Sequence, residues 1–372
     1  MERSDRLEIQ RIQERMKTQK LDALVATSHD SVFYLTKAYK IPARSIPTRL
    51  SAVVIPASGQ PVLVACAITE ALVEKSSKVR GAVFYREYID SPIELVANVI
   101  RSYGLMSGRI GLEKIALSAR FYDELRDCLP DAEFVAADQI TDWVRMVKTP
   151  EEIRLLHSSA LATDRAIRQA FMTAKPGEME KNVESRIAVE LLRNGADLVE
   201  HVTCGAGENA ALAHPKAEIR PLENGELIRT DAGGIFSGYM SDLARTVVVG
   251  EPTGEQREYW EILYHIQAQI IAAARPGIRG RELHNLCLEL FEQHRLIYAY
   301  TITGHGLGLG QHDTPIIGPD SDIALEENMV INLEPAHRNL GAIMHIEDTV
   351  LVTAEGGRIL SRSADWSSLK LS

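Results

Sequence analysis

Cysteine is scarce in this 372-residue chain: four residues, Cys66, Cys128, Cys204 and Cys287, with no CxxC pair among them. Such wide spacing excludes a disulfide scaffold and a cysteine-rich zinc site. Reduced thiols in a cytoplasmic protein are the expectation. No apolar run approaches the ~20 residues of a membrane span. The charged opening MERSDRLEIQRIQERMKTQK lacks the apolar core of a secretory signal. A basic surface is missing too: Lys plus Arg number 41 against 51 Asp plus Glu, a formal charge of −10. Nucleic acid and membranes are therefore not expected partners. The excess consists of carboxylates, the groups that bind cations. With 45% apolar and 25% charged residues, the composition is that of a globular protein. The length suits two domains.

Residues 23–26, 50–56, 61–66, 82–87, 109–113 and 133–137 read as strands, with Ser58-Gly59 as a hairpin turn. Helical patterns at 92–103 and 118–128 lie between them, so a mixed α/β domain is expected. At Lys148-Thr149-Pro150-Glu151-Glu152 the character changes: Thr149 caps a helix with Pro150 first and Glu152 as the capping-box acid. Two helices to about 173 and 194 follow, then glycine-rich strands interrupted by helices at about 255–274 and 281–294. The boundary falls near 148, giving domains 1–147 and 148–372.

Two segments carry acids inside apolar strands. In LIRTDAGGIFSGYMSDLARTVVVG (227–250), a turn centred on Phe236-Ser237 makes cross-strand partners sum to 473 and sets Asp231 opposite Asp242. In MVINLEPAHRNLGAIMHIEDTVLV (329–352), a turn at Leu340-Gly341 gives a sum of 681 and sets Glu334 opposite Glu347. Like charges so placed repel and need something positive between them. His305, on a glycine-flanked loop between the two segments, can reach the same place. Four carboxylates balance two divalent cations, and acids with one imidazole suit Mn²⁺, Co²⁺, Zn²⁺ or Fe²⁺. Gly304, Gly306 and Gly308 lack the spacing and βαβ setting of a dinucleotide fingerprint. His157, His265, His284 and His294 read as structural, and Cys204 as packing.

These residues resemble the pita-bread metallopeptidase family of Xaa-Pro dipeptidase (prolidase), aminopeptidase P, methionine aminopeptidase and creatinase. The resemblance covers about 148–356. It rests on Arg145 to Ile153, Asp231 through Asp242 to Thr246, Gly304-His305-Gly306, Asn332-Leu-Glu334-Pro335 and Ile346-Glu347-Asp348. It implies a creatinase-like N-terminal α/β domain followed by a pita-bread catalytic domain. It also implies a pair of divalent metal ions, Mn²⁺ foremost. Asp231 would chelate one ion, Asp242 and Glu347 bridge both, and His305 and Glu334 complete the other. A metal-bridging hydroxide would cleave an amide bond of a small peptide, with Glu334 as general base. His214 aligns with a substrate-contacting histidine and His312 with one that steadies the tetrahedral intermediate. Homodimers are usual in this branch, which leaves the basic loop of Lys37, Lys40, Arg44 and Arg49 as a candidate contact for a substrate carboxylate in the neighbour's pocket.

The chain departs from the prolidase pattern in the surroundings of the ligands. His345 stands where an arginine is usual, which substitutes a group titrating near neutrality and makes His345 a candidate substrate contact. Thr301 stands for a histidine and Ala336 for a glycine. The rival expectation is hydrolysis of a small non-peptide C–N bond, as in creatinase or ectoine hydrolase; a non-catalytic binding protein is the third.

Overall fold

Short apolar runs alternating with capped amphipathic helices build the first of two units, residues 1–145; the second is 146–372. The computed structural model describes residues 3–38, 46, 48–339 and 341–370. In the first unit, strands β1 (Ala23–Ala26), β2 (Ala52–Pro56), β3 (Val62–Cys66), β4 (Gly81–Tyr85), β5 (Arg109–Leu112) and β6 (Glu133–Ala136) form one sheet of order β4-β3-β2-β1-β5-β6. Helices α1 (Arg3–Thr18), α2 (His29–Thr36), α3 (Glu70–Ser76), α4 (Pro92–Ser102), α5 (Ala119–Cys128) and α6 (Asp138–Met146) accompany it. Ser91 and Ser118 cap α4 and α5 by accepting from Glu94 N and Phe121 N. The face of Ile93, Val96, Ile100, Phe121 and Leu125 so presented is buried with Val54, Val64 and Leu112.

The second unit starts where Thr149 caps α7 (Pro150–Phe171): its hydroxyl accepts from Glu152 N at 3.3 Å, and the Glu152 carboxylate accepts from Thr149 N at 2.7 Å. There follow α8 (Glu180–Arg193), β7 (Leu198–Ala206), β8 (Leu227–Phe236), β9 (Tyr239–Met240), β10 (Leu243–Val248), α9 (Gly254–Ala273) and α10 (Gly280–Gln293). The remainder is strand: β11 (Gly304–Gly306), β12 (Asp313–Ile317), β13 (Val330–Leu333), β14 (Ala336–Asn339), β15 (Ala342–His345), β16 (Asp348–Thr353) and β17 (Gly356–Ile359). The sheets run β10-β8-β7, with β9 on β8, and β12-β11-β13-β16-β17, while β14 and β15 pair separately.

The first acidic hairpin differs from expectation. Its partners sum to 475, so Asp231 faces Ala244 rather than Asp242, and the turn is Ser237-Gly238. Both turn residues have positive φ, 51° and 90°, as a tight right-twisting hairpin demands. A turn one residue earlier would force Phe236 into that region. A change of two in the sum leaves every side chain on its expected face, and Asp231 and Asp242 still share one. The second hairpin keeps the sum of 681 through Leu333↔Asp348 and Ala336↔His345. Glu334 and Glu347 lie where the chain passes from one ladder to the other.

Candidate metal centre

Four places in the chain bring the four acids and His305 together. Asp231 comes from β8, Asp242 from the link before β10, His305 from β11, and Glu334 and Glu347 from the break in the second hairpin. Close approach of β11 to β13 needs glycine at 304, where a Cβ would stand 2.0 Å from the Asn332 carbonyl oxygen. His305 Nε2 lies 3.8 Å from Asp242 Oδ2, 3.7 Å from Glu334 Oε1 and 3.6 Å from Glu347 Oε1. Asn332 Nδ2 donates to Glu347 Oε1 at 2.8 Å and to the Asp242 carbonyl at 2.9 Å, fixing the two acids relative to each other. All five side chains line one cavity of about 540 Å³, together with His201, His214, Tyr300, Thr301 and His312. His214 and His312 are exposed on it, and the His312 ring stacks on His305 at 4.0 Å.

His201 was not among the residues singled out from the sequence. Its Nε2 stands 3.0 Å from Asp231 Oδ1 and 3.1 Å from Asp242 Oδ1. Asp231, Asp242 and His201 form one group able to hold a cation, and Asp242, His305 and His312 form another.

The electrostatics call for positive charge. Burial, then the charge of Asp242, lifts the Glu347 carboxyl to about 8. Burial and the neighbouring Glu347 raise Glu334 well above the usual carboxylate range, and burial with Asp231 raises Asp242. Asp231 is lowered, because His201 outweighs its burial. Burial works against the charged imidazoles, yet Asp231 and Asp242 lift His201 to about 11, and the acids led by Glu347 lift His305 to about 10. Asp242 Oδ1 accepts no hydrogen bond among the described residues. Clustered buried acids with an orphaned oxygen fit a pair of divalent cations.

Groups with raised folded pKa values hold stability that is lost as pH climbs through them. In metal-free protein, Glu347 loses it between 4.5 and about 8, and His201 and His305 between 6.5 and about 10 or 11. Calorimetry of chelator-treated protein should therefore show a midpoint several degrees lower at pH 9 than at pH 7. Saturating divalent cation, by replacing those protons, should flatten the difference; equal slopes with and without metal would contradict this electrostatic account.

His345 does not titrate near neutrality as expected of it. It is fully buried and is not among the residues lining the cavity. Burial and then Arg229 pull it down to about 3, far from neutrality. Its Nε2 stands 3.5 Å from Glu334 Oε2, and its Nδ1 lies 3.3 Å from Arg229 Nη1. Arg229, itself fully buried, thus brings a guanidinium beside the position where an arginine is usual; it also donates to Tyr300 Oη at 2.9 Å and to the Leu212 and Ala213 carbonyls next to His214. Arg49 grips Glu87 in two hydrogen bonds of 2.9 and 2.6 Å, so a substrate carboxylate would have to displace Glu87. Arg44 and Lys40 lie outside the described residues. Cys204 is buried, as packing requires.

The pattern of metallopeptidase family M24 matches residues 154–354, and that of the creatinase/prolidase N-terminal domain matches 8–147. The chain belongs to metallopeptidase family M24. This M24 chain is 33% identical over 235 residues to the Xaa-Pro dipeptidase of Pyrococcus furiosus, covering 62% of the chain and 67% of the relative. It is 32% identical over 296 residues to the Xaa-Pro dipeptidase of Lactobacillus helveticus, covering 76% and 78%. In structure it matches the Xaa-Pro dipeptidase from Bacillus anthracis with a TM-score of 0.87 at 24% identity, over 97% of this chain and 98% of that one. Dipeptidase PepE from Mycobacterium ulcerans matches at 0.86 and 26% identity, over 97% and 96%. The M24 fold, a creatinase-like α/β domain followed by a pita-bread domain, is thus the one expected from the motifs.

Proposed function

We propose that this M24 protein is a metal-dependent hydrolase of the Xaa-Pro dipeptidase or aminopeptidase type, with residues 1–147 as its N-terminal domain and 148–372 as its catalytic domain. The observation that carries this reading is the convergence of Asp231, Asp242, Glu334 and Glu347 on His305 in one cavity. These five would hold two divalent cations, and the oxygen majority suits Mn²⁺. Such ions, when bound, neutralise the acids, polarise a carbonyl and acidify water.

Glu334 is the proton carrier: it faces the cavity, and bound cations would offset the burial and the neighbouring Glu347 charge that otherwise favour its protonated form, leaving a carboxylate able to accept a proton. It takes a proton from the attacking water and returns it to the leaving nitrogen. His312, lowered to about 4 by burial and then by His305, is neutral and free to donate an N–H to the developing oxyanion. His214 holds the substrate at the exposed rim, and Arg229 fixes its loop through the Leu212 and Ala213 carbonyls. The relatives named Xaa-Pro dipeptidase support the substrate class. A small non-peptide amide is the second reading, favoured by Thr301 on the cavity wall, where the peptidase pattern has a histidine.

Turnover of Gly-Pro, a longer Xaa-Pro peptide, creatine and ectoine, with and without added Mn²⁺, decides between them. The expected result is cleavage of an Xaa-Pro bond that a chelator abolishes. Turnover of creatine or ectoine alone would reject the peptidase, and chelator-insensitive activity without bound metal would reject the chemistry.

A further inference from the structure

The ligand set implied by the motifs gives the two cations unequal chemistry. One ion receives the His305 imidazole, and the other, on Asp231 and Asp242, receives only oxygen. We propose that His201 Nε2 is a direct ligand of the Asp231–Asp242 cation, making that position selective for Co²⁺ or Zn²⁺ over Mn²⁺. This rests on the reading that the site holds two cations.

The backbone builds the position. His201 on β7 pairs with Gly233 on β8, and Thr203 pairs with Asp231, so His201 is the diagonal neighbour of Asp231. On the other side of Gly233, in the register of the first hairpin, comes Asp242. Gly233 thus sits in a row between imidazole and carboxylate, and its missing side chain leaves room for both. A Cβ there would meet His201 Cε1 at 2.6 Å and the Ser241 carbonyl oxygen at 2.0 Å. A bulge between Val199 and His201 aims the ring.

The contacts of the ring point the same way. Nε2 is 3.0 Å from Asp231 Oδ1 and 3.1 Å from Asp242 Oδ1, but the single proton it can carry serves one oxygen. Asp242 Oδ1 is the one left without a hydrogen bond among the described residues. His201 Nδ1 makes none either, so the ring acts through Nε2 alone. Neighbouring donors about 2.1 Å from a common cation at right angles stand about 3 Å apart, which is the spacing found here. Nitrogen ligation favours Co²⁺ and Zn²⁺, whereas an all-oxygen set suits Mn²⁺.

The test compares metal-free wild type with His201→Gln and, as a control on the other cavity histidine, His312→Gln. Each is titrated with Co²⁺, Zn²⁺ and Mn²⁺ against a competing chelator. His201→Gln should weaken Co²⁺ and Zn²⁺ binding at one of two sites by more than about 100-fold, beyond the about 10–100-fold lost with a residue that only orients a ligand, and should weaken Mn²⁺ binding, which oxygen ligands suit, distinctly less. The proton spectrum of the Co²⁺-loaded wild type should show two strongly shifted, exchangeable imidazole N–H signals, from His305 and His201, of which one disappears in His201→Gln and both persist in His312→Gln. Two ions bound with unchanged affinities in His201→Gln, or no N–H lost with that substitution, would overturn the assignment and leave the two-cation reading standing. Uptake of fewer than two ions by wild type would overturn both.

Discussion

Glu334→Gln should retain bound metal while turnover falls by about 10²–10⁴-fold, the range expected when a general base is removed. Glutamine keeps the shape and one carbonyl oxygen of the side chain but cannot accept a proton at neutral pH. The cavity already favours an uncharged group at this position, through burial and the neighbouring Glu347. The metal-free variant should therefore unfold no more readily than wild type at or above neutrality, which separates a catalytic loss from a folding one. Elemental analysis, kcat and a denaturation curve on the same preparation check all three expectations. A variant with near-normal kcat would remove Glu334 from the proton pathway.

Arg245→Met should cost about 3–5 kcal/mol of stability, as loss of one partner from a buried ion cluster does. Arg245 is wholly buried on β10. Its Nε and Nη2 donate to Asp164 Oδ1 at 3.0 and 2.7 Å, and Nη2 also reaches Asp348 Oδ1 at 2.9 Å. Nη1 donates to the carbonyls of Ala244 and Glu347, so the guanidinium anchors the backbone of a candidate metal ligand. Methionine fills the space but leaves buried Asp164 short of its cation and Asp348 with Arg362 alone. Lysine keeps the charge without the planar fork, and Arg245→Lys should recover only part of the loss. Urea denaturation measures it; a change below about 1 kcal/mol would mean that the cluster relaxes or takes up protons instead.

Local signals made much of this fold legible before any coordinates. The strands of the first unit lie within a residue or two of the apolar runs, and Thr149 caps where its side chain suggests. Register was legible only where the turn was. Gly341 centres the second hairpin as expected, whereas in the first Ser237 accepts positive φ and the turn moves one residue along. His201 escaped notice because a β-bulge, which carries no reliable local signature, aims it at acids 30 and 41 positions away. The titration of His345 is hidden from the sequence for a related reason. It depends on complete burial and then on Arg229, 116 residues distant in sequence, and neither shows in a stretch of neighbouring letters.

The last segment of the chain closes the cluster under the catalytic centre. Asp164 of α7 accepts from Ser363 N, Ser363 Oγ and Trp366 Nε1, while Arg362 and Ser361 hold Asp348 beside it. During synthesis these residues leave the ribosome about 200 positions after Asp164. Residues 361–366 thus tie α7 to β16 across about 200 positions of sequence, and the ion cluster beneath the acids is complete only once that segment has folded back onto it.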